Sequence, residues 1–105
     1  MKKITAEELK KRFDKDEVIL IDVREPAEYR AESIVGSIHI PLAEVSLDKL
    51  PITSMPIVMH CHLGRRSVNA CEKIIEEDPS LSIYSLEGGI VAWKQAGFSV
   101  QKSGD

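Results

Sequence analysis

The sequence has no long hydrophobic run, few cysteines and no excess of positive charge, and each shortage excludes a class of protein. The longest unbroken aliphatic stretch, Val18 to Ile21, is far too short to cross a bilayer, and Met1-Lys2-Lys3 leads into Ile4 and a polar segment where a secretory signal would have its apolar core. A soluble, cytoplasmic protein with no membrane partner is expected. Two cysteines, Cys61 and Cys71, do not make the disulfide framework of a small secreted domain, so free thiols in a reducing compartment are expected. A net charge of −3 argues against nucleic acid as a partner, since phosphate contacts need clustered Lys and Arg. No internal repeat or low-complexity tract is visible. The 105 residues, 43% of them hydrophobic, suffice for one core, and a single domain over 1–105 is expected, with an ordered core from about 4 to 100 and a tail over 101–105.

A local shortage points to chemistry. No Asp or Glu occurs between Asp48 and Glu72, whereas Lys49, Arg65 and Arg66 do, and this basic segment contains Cys61. Pro56 to Met59 is a short, partly β-branched apolar run that reads as a buried strand ending at His60. After Arg66, Val68, Cys71 and Ile75, with Ala70 and Ile74 beside them, have the spacing of one helix face. Cys61 therefore lies between a strand and a helix start, where unpaired backbone N–H groups and the helix dipole favour an anion. Residues Cys61 to Arg66 can curl so that several N–H groups point inward, with Gly64 giving the torsional freedom for the curl. Both effects favour a thiolate at Cys61. The alternative is a buried cysteine serving as a small hydrophobe.

The rest of the chain alternates strand and helix signals. Thr5-Ala6-Glu7-Glu8 has the form of a capping box, opening a helix to about Phe13 with Leu9 and Phe13 inward. Val18 to Ile21 reads as a strand buried on both faces and central in a parallel sheet, which puts Asp22-Val23-Arg24 at its carboxyl end, the edge where open α/β sheets place ligands. Pro26 suits the first turn of a short helix to about Ala31, broken by Ser33 to Gly36. Ser37 to Ile40 is a strand candidate stopped by Pro41, and Leu42 to Leu50 has a loose helical pattern closed by Pro51. Asp78-Pro79-Ser80 is a turn, Ser82 to Leu86 alternates as a strand, Gly88-Gly89 turns the chain, and Ile90 to Ala96 is a short helix capped by Gly97. Such alternation predicts an α/β fold, a parallel sheet with helices on both faces.

Four segments carry a resemblance. Cys61-His62-Leu63-Gly64-Arg65-Arg66-Ser67 resembles the C-x-x-G-x-R-S active loop of the rhodanese family. Asp22-Val23-Arg24-Glu25 with Glu28-Tyr29 resembles its D-V-R-x-x-x-E-Y stretch, and Gly36-Ser37-Ile38-His39-Ile40-Pro41 its G-A/S-x-x-I-P segment. Leu86-Glu87-Gly88-Gly89-Ile90-Val91-Ala92-Trp93, with Ala96-Gly97, resembles its closing signature. The four occur in order and cover nearly all of the chain from Ile4 to Val100. The resemblance implies a rhodanese-like α/β fold with a parallel sheet of about five strands and helices on both faces. The chain departs from the family where Glu32-Ser33-Ile34 stands in place of the Gly-His-Ile of many relatives, so the end of that helix and the turn after it are expected to be built differently.

Rhodanese-like enzymes move sulfane sulfur from a donor such as thiosulfate, through a cysteine persulfide, to a thiophilic acceptor such as cyanide, a thiol or a protein. The resemblance thus implies a thiosulfate sulfurtransferase with Cys61 as nucleophile and the loop His62, Leu63, Gly64, Arg65, Arg66 and Ser67 holding the persulfide. Arg66 is expected to brace the loop or its anion, Arg65 to attract the donor, and Ser67 to be either a helix-capping residue or a ligand. Asp22 and Arg24 either support the site from the neighbouring strand end or pair with each other or with Glu25 as a surface network. His62, lying beside the sulfur, is placed to favour the thiolate as an imidazolium below neutral pH. No metal or other cofactor is implied, since His60-Cys61-His62 side chains at a strand end diverge. Trp93, at helical spacing from Ile90 and Ala96, is expected in the core, and Cys71, on the apolar face of its helix, is expected there too and not as a resolving thiol. The alternatives are a rhodanese-like protein-interaction or sulfur-carrier module with little turnover, the silent interaction modules typically lacking the loop cysteine, and a Cys-dependent phosphatase, whose loop is C-x5-R. Here Cys61 to Arg66 is C-x4-R, a smaller ring of N–H donors suited to one sulfur and tight for a phosphoryl group.

Overall fold

The brief apolar runs become the middle strands of a parallel sheet, because strands covered on both faces can be apolar throughout. The structure, a computed structural model, describes residues 2–51 and 53–102. Strands β1 (Lys2–Ile4), β2 (Ile19–Asp22), β3 (Glu32–Ser33), β4 (Ile38–His39), β5 (Ile57–His60), β6 (Ile83–Leu86) and β7 (Gln101–Lys102) alternate with α1 (Ala6–Asp14), α2 (Pro26–Ala31), α3 (Arg65–Glu77) and α4 (Gly89–Gln95). Five strands form one sheet in the order β1-β6-β5-β2-β4, with every pair parallel. This is the expected α/β architecture. The centre belongs to β5; β2, expected there, is its interior neighbour, with Leu20 opposite Val58 and Asp22 opposite His60.

Side chains alternate across the sheet and build two cores. Ile21, Met59 and Ile83 pack with Ala70, Cys71 and Ile74 of α3, while Leu20, Val58 and Leu86 pack with Leu9 of α1 and Ile90 and Trp93 of α4. Each fully buried Leu or Ile contributes about 2 kcal/mol, so the carboxyl ends of β2 and β5 rest on rigid ground. Trp93 has the core role expected of it: its indole N–H donates to the Ser99 carbonyl at 2.9 Å and its ring meets Phe98 edge-on. Among the described residues no helix is long and apolar enough to cross a membrane.

Several local expectations need correction. The Thr5 hydroxyl caps α1 by accepting from the Glu8 N–H at 3.2 Å, but the Glu8 carboxylate turns to the Arg12 guanidinium one helical turn on, so the box is half made. The reciprocal box stands instead at α2, between Glu25 and Glu28, with Pro26 in the first turn. Leu42 to Leu50 is not a helix but two 3-10 turns, Leu42–Glu44 and Leu47–Lys49, because extended backbone at Ser46 interrupts the pattern. Lys2 and Lys3 belong to edge strand β1, whose lysines suit an exposed edge. Gln101 and Lys102, expected as tail, form β7 antiparallel to Glu32–Ser33, the segment that departs from the family pattern; residues 103–105 lie outside the described residues. The Glu32 carboxylate also pairs with Lys94 of α4.

Candidate active site

Cys61 follows the last residue of β5, and its side chain is 1% exposed. Its Sγ accepts from the Gly64 N–H at 3.1 Å and from the Ser67 N–H at 3.4 Å, and lies 3.6 Å from the Ser67 hydroxyl. The chain can close so tightly because Gly64, the residue before α3, has φ of +108°, a conformation costly for any residue with a Cβ. The N–H groups of His62, Leu63, Arg65 and Arg66 have no protein acceptor among the described residues. Above them opens a cleft lined by Cys61, His62, Leu63, Arg65 and Arg66.

The start of α4 binds the carbonyls of the first two loop residues. The Ile90 N–H donates to the Cys61 carbonyl at 2.8 Å, and the Val91 N–H donates to the His62 carbonyl at 3.3 Å. Free N–H groups at the start of α4 are natural partners for these carbonyls. The approach requires glycine at position 89: its φ is +58°, and a Cβ there would lie 2.5 Å from the Cys61 carbonyl oxygen and closer still to that of His62. Sequence reading made Gly88-Gly89 a turn; its role as the backing of the loop comes from a contact distant in sequence.

Arg65 and Arg66 both line the cleft but differ in their partners. The Arg66 guanidinium forms a two-pronged pair with Glu28 of α2, at 2.6 and 3.0 Å, and so ties the first turn of α3 to the helix after β2. Arg66 holds the Glu28 carboxyl at about 2, and Glu28 in turn raises the guanidinium. Local sequence overstated the positive charge here, because its acidic partner arrives from another element. Arg65 has no acidic partner among the described residues. Ser67 is the third residue of α3 rather than its cap, and its hydroxyl also donates to the Gly64 carbonyl at 3.1 Å and meets the Ser85 hydroxyl of β6 at 2.7 Å. Ser85, 2% exposed, escaped sequence reading, since nothing local marks a serine in an alternating strand.

Asp22 and Arg24 pair with each other, but in the interior and not as a surface network. Arg24 grips both carboxylate oxygens of Asp22 at 2.7 to 3.0 Å and donates to the Glu32 carbonyl. Neither side chain hydrogen-bonds to the Cys61–Ser67 loop. Their nearest link to it is His60, fully buried, whose Nε2 is 3.5 Å from Asp22 Oδ2, too far for an ordinary N–H···O bond. Burial pushes His60 down, against the opposing effect of Asp22, and leaves a neutral imidazole. His62 is exposed at the rim of the cleft. Cys71 is fully buried in the core under α3, where its thiol donates to the Tyr84 carbonyl at 3.3 Å.

A thiol caged by backbone N–H groups, at the carboxyl edge of a parallel sheet and the start of a helix, defines a class of α/β protein built around a cysteine loop. Comparison with known proteins names the family. The Rhodanese-like domain model matches residues 5–96. A sulfurtransferase of Allochromatium vinosum is 30% identical over 92% of this chain and 92% of its own length. An uncharacterized protein of Synechocystis is 36% identical over 95% of this chain, which spans only 56% of that relative. The crystal structure of a rhodanese-related protein from Thermoplasma volcanium superposes with a TM-score of 0.83 at 31% identity, over 96% of this chain and 98% of that one. The chain belongs to the rhodanese-like family, whose members include sulfurtransferases.

Proposed function

We propose that this chain is a thiosulfate-type sulfurtransferase in which Cys61 carries the sulfur in transit. The observation that supports this reading best is the cage around Sγ: two N–H groups already on the sulfur and four more without acceptors around the same cleft. The Cys61 thiolate attacks the outer sulfur of the donor and forms a new S–S bond. The S–S bond within thiosulfate breaks, and sulfite leaves with its electron pair. Negative charge then rests on the outer sulfur of the Cys61 persulfide, within reach of fixed N–H dipoles that need no reorganisation to hold it. An acceptor, cyanide, a thiol or a protein thiol, attacks that sulfur, and the Cys61 thiolate leaves. Because Cys61 is almost closed to solvent, a slender donor that presents its sulfur end-on fits this site better than a bulky one. We take the chain as one domain working in a reducing, cytoplasmic setting, with Gly64 and Ser67 in the cage, Arg65 drawing the donor, and Asp22, Arg24 and Arg66 bracing the elements on which the loop stands.

Two features argue against phosphoryl transfer. The ring is one residue shorter than C-x5-R, and the Arg66 guanidinium, the group suited to clamp phosphoryl oxygens, is occupied by Glu28. Purified protein given thiosulfate and cyanide should form thiocyanate and release no phosphate from an aryl phosphate. Phosphate release that depends on Cys61, without thiocyanate, would reverse the assignment, and stable binding of a protein partner with neither activity would favour an interaction module.

A further inference from the structure

Behind Cys61 the cage continues into a line of two buried hydroxyls. Ser67 Oγ lies 3.6 Å from Sγ, and Ser85 Oγ lies 2.7 Å from Ser67 Oγ. Both residues are buried, at 0% and 2% exposure, and Ser67 is the only hydrogen-bond partner of the Ser85 hydroxyl among the described residues. Ser85 is fixed in place by the sheet: it stands opposite Met59 of β5 and points to the α3 side together with Ile83. A hydroxyl has one proton and two lone pairs, and because the Ser67 proton goes to the Gly64 carbonyl, Ser85 is the donor in the bond between the two hydroxyls.

We propose that Ser85 is a positioning residue that turns the Ser67 hydroxyl into a switchable donor for the Cys61 sulfur. In the thiol form the Cys61 S–H donates to Ser67 Oγ, and the Ser67 hydroxyl donates to the Gly64 carbonyl at 3.1 Å. When the thiol gives its proton to solvent, that donor disappears and the sulfur becomes an acceptor. The Ser67 O–H then rotates from the carbonyl to the sulfur, while Ser85 goes on donating to Ser67 Oγ and polarises it. The Gly64 carbonyl is not orphaned by this rotation, because it also accepts the Val68 N–H at 3.3 Å. The rotation therefore leaves no buried polar group without a partner, the condition that makes it inexpensive. Chains of hydroxyls strengthen one another in a low-dielectric interior, and a bond to a charged sulfur is stronger than one to a thiol. Ser85 thus acts on the sulfur without touching it.

This inference rests on the reading of Cys61 as a working thiolate, and its test is kept apart from turnover. The pH dependence of Cys61 alkylation by iodoacetamide, followed by intact mass, reports the thiolate population whether or not sulfur is transferred. In Ser85→Ala the profile should move to higher pH, with the rate near neutrality falling roughly three- to tenfold, the scale of losing one ordinary hydrogen bond, here the one that polarises Ser67 behind the sulfur. Ser67→Ala should show at least as large a shift, and adding Ser85→Ala to it should change nothing more, because the route runs through Ser67 alone. Ser85→Thr, which keeps the hydroxyl, should restore the parent profile. Thermal melting of each variant identifies any that unfolds, and the double-variant comparison holds even if Ser85→Thr is too bulky. An unchanged profile in Ser85→Ala, or the same shift with and without Ser67, would overturn the proposal. A protein with the expected alkylation profiles but no sulfur transfer would contradict the proposed activity and leave the hydroxyl relay standing.

Discussion

Cys71 Sγ donates to the Tyr84 carbonyl inside the core face of α3, and burial pushes its thiol up to about 12, so it stays protonated at neutral pH. Cys61 is equally buried but is met by N–H donors. The two sulfurs therefore differ in their partners and not in their burial, N–H donors at Cys61 and a carbonyl acceptor at Cys71. Cys71→Ala is expected to turn over fully and to lose about 1 kcal/mol of stability from the small cavity, and iodoacetamide at neutral pH should label Cys61 alone. Loss of turnover at unchanged stability would contradict this. The positions of the two cysteines, loop and helix face, were legible in the sequence because both are local, whereas spacing alone left open whether Cys61 is a working thiol or a small hydrophobe. Glu28 could not be assigned its role, since its partner Arg66 is brought to it only by the packing of α2 against α3. With its folded value at about 2 against an ordinary 4.5, Glu28 adds stability that is complete above about pH 4.5 and is lost as the pH falls toward 2. The pair is a third exposed, so its worth is about 1 kcal/mol or less. Glu28→Gln should therefore melt slightly below the parent at neutral pH, with the gap closing as acid protonates Glu28. A gap that stays constant through that range would sink the assignment.

At the scale of elements, α4 does more than cover the sheet, because its first N–H groups bind the Cys61 and His62 carbonyls. Replacing Gly89 by alanine combines a left-handed backbone with a Cβ inside contact distance of both carbonyls, at an expected cost of roughly 2–4 kcal/mol. Gly97 has a similar φ of +88° but open space around it, so Gly97→Ala should cost only about 1 kcal/mol of strain. Urea melts of the two variants check this, and sulfur transfer should fall with Gly89→Ala and not with Gly97→Ala. Equal losses would mean that the close approach of α4 is unimportant. The elements that sequence revealed were those with strong internal signals: continuous aliphatic runs for β2 and β5, helical spacing for α3, and Pro26 for α2. The missed ones, β1, β3 and β7, are two or three residues long and, apart from Ile4, polar. They exist because a neighbouring strand offers hydrogen bonds, information that no short window of sequence holds. The 3-10 turns between Pro41 and Pro51 were misread for the opposite reason: their apolar residues suggested a period that extended backbone at Ser46 breaks.

Across the whole molecule the charge is −3, which repels an anionic donor, while the rim of the cleft presents Arg65, without an acidic partner among the described residues, and Arg66 already neutralised by Glu28. Attraction of thiosulfate should therefore depend on Arg65. Arg65→Ala is expected to raise KM for thiosulfate roughly two- to tenfold at low ionic strength with kcat unchanged. The difference should shrink near 1 M salt, where screening acts over about 3 Å. A KM that does not move at low salt would show that donors enter without this guidance. The fold brings two backbone N–H donors onto the Cys61 sulfur, and the proposed function requires that transferred sulfur rest there. Intact-mass measurement of the protein after incubation with thiosulfate and removal of small molecules tests it most directly. The parent should gain the mass of one sulfur atom and lose it on addition of cyanide, and Cys61→Ser, folded by thermal melting, should gain none. Retention of sulfur by folded Cys61→Ser, or a folded parent that never gains it, would contradict the account.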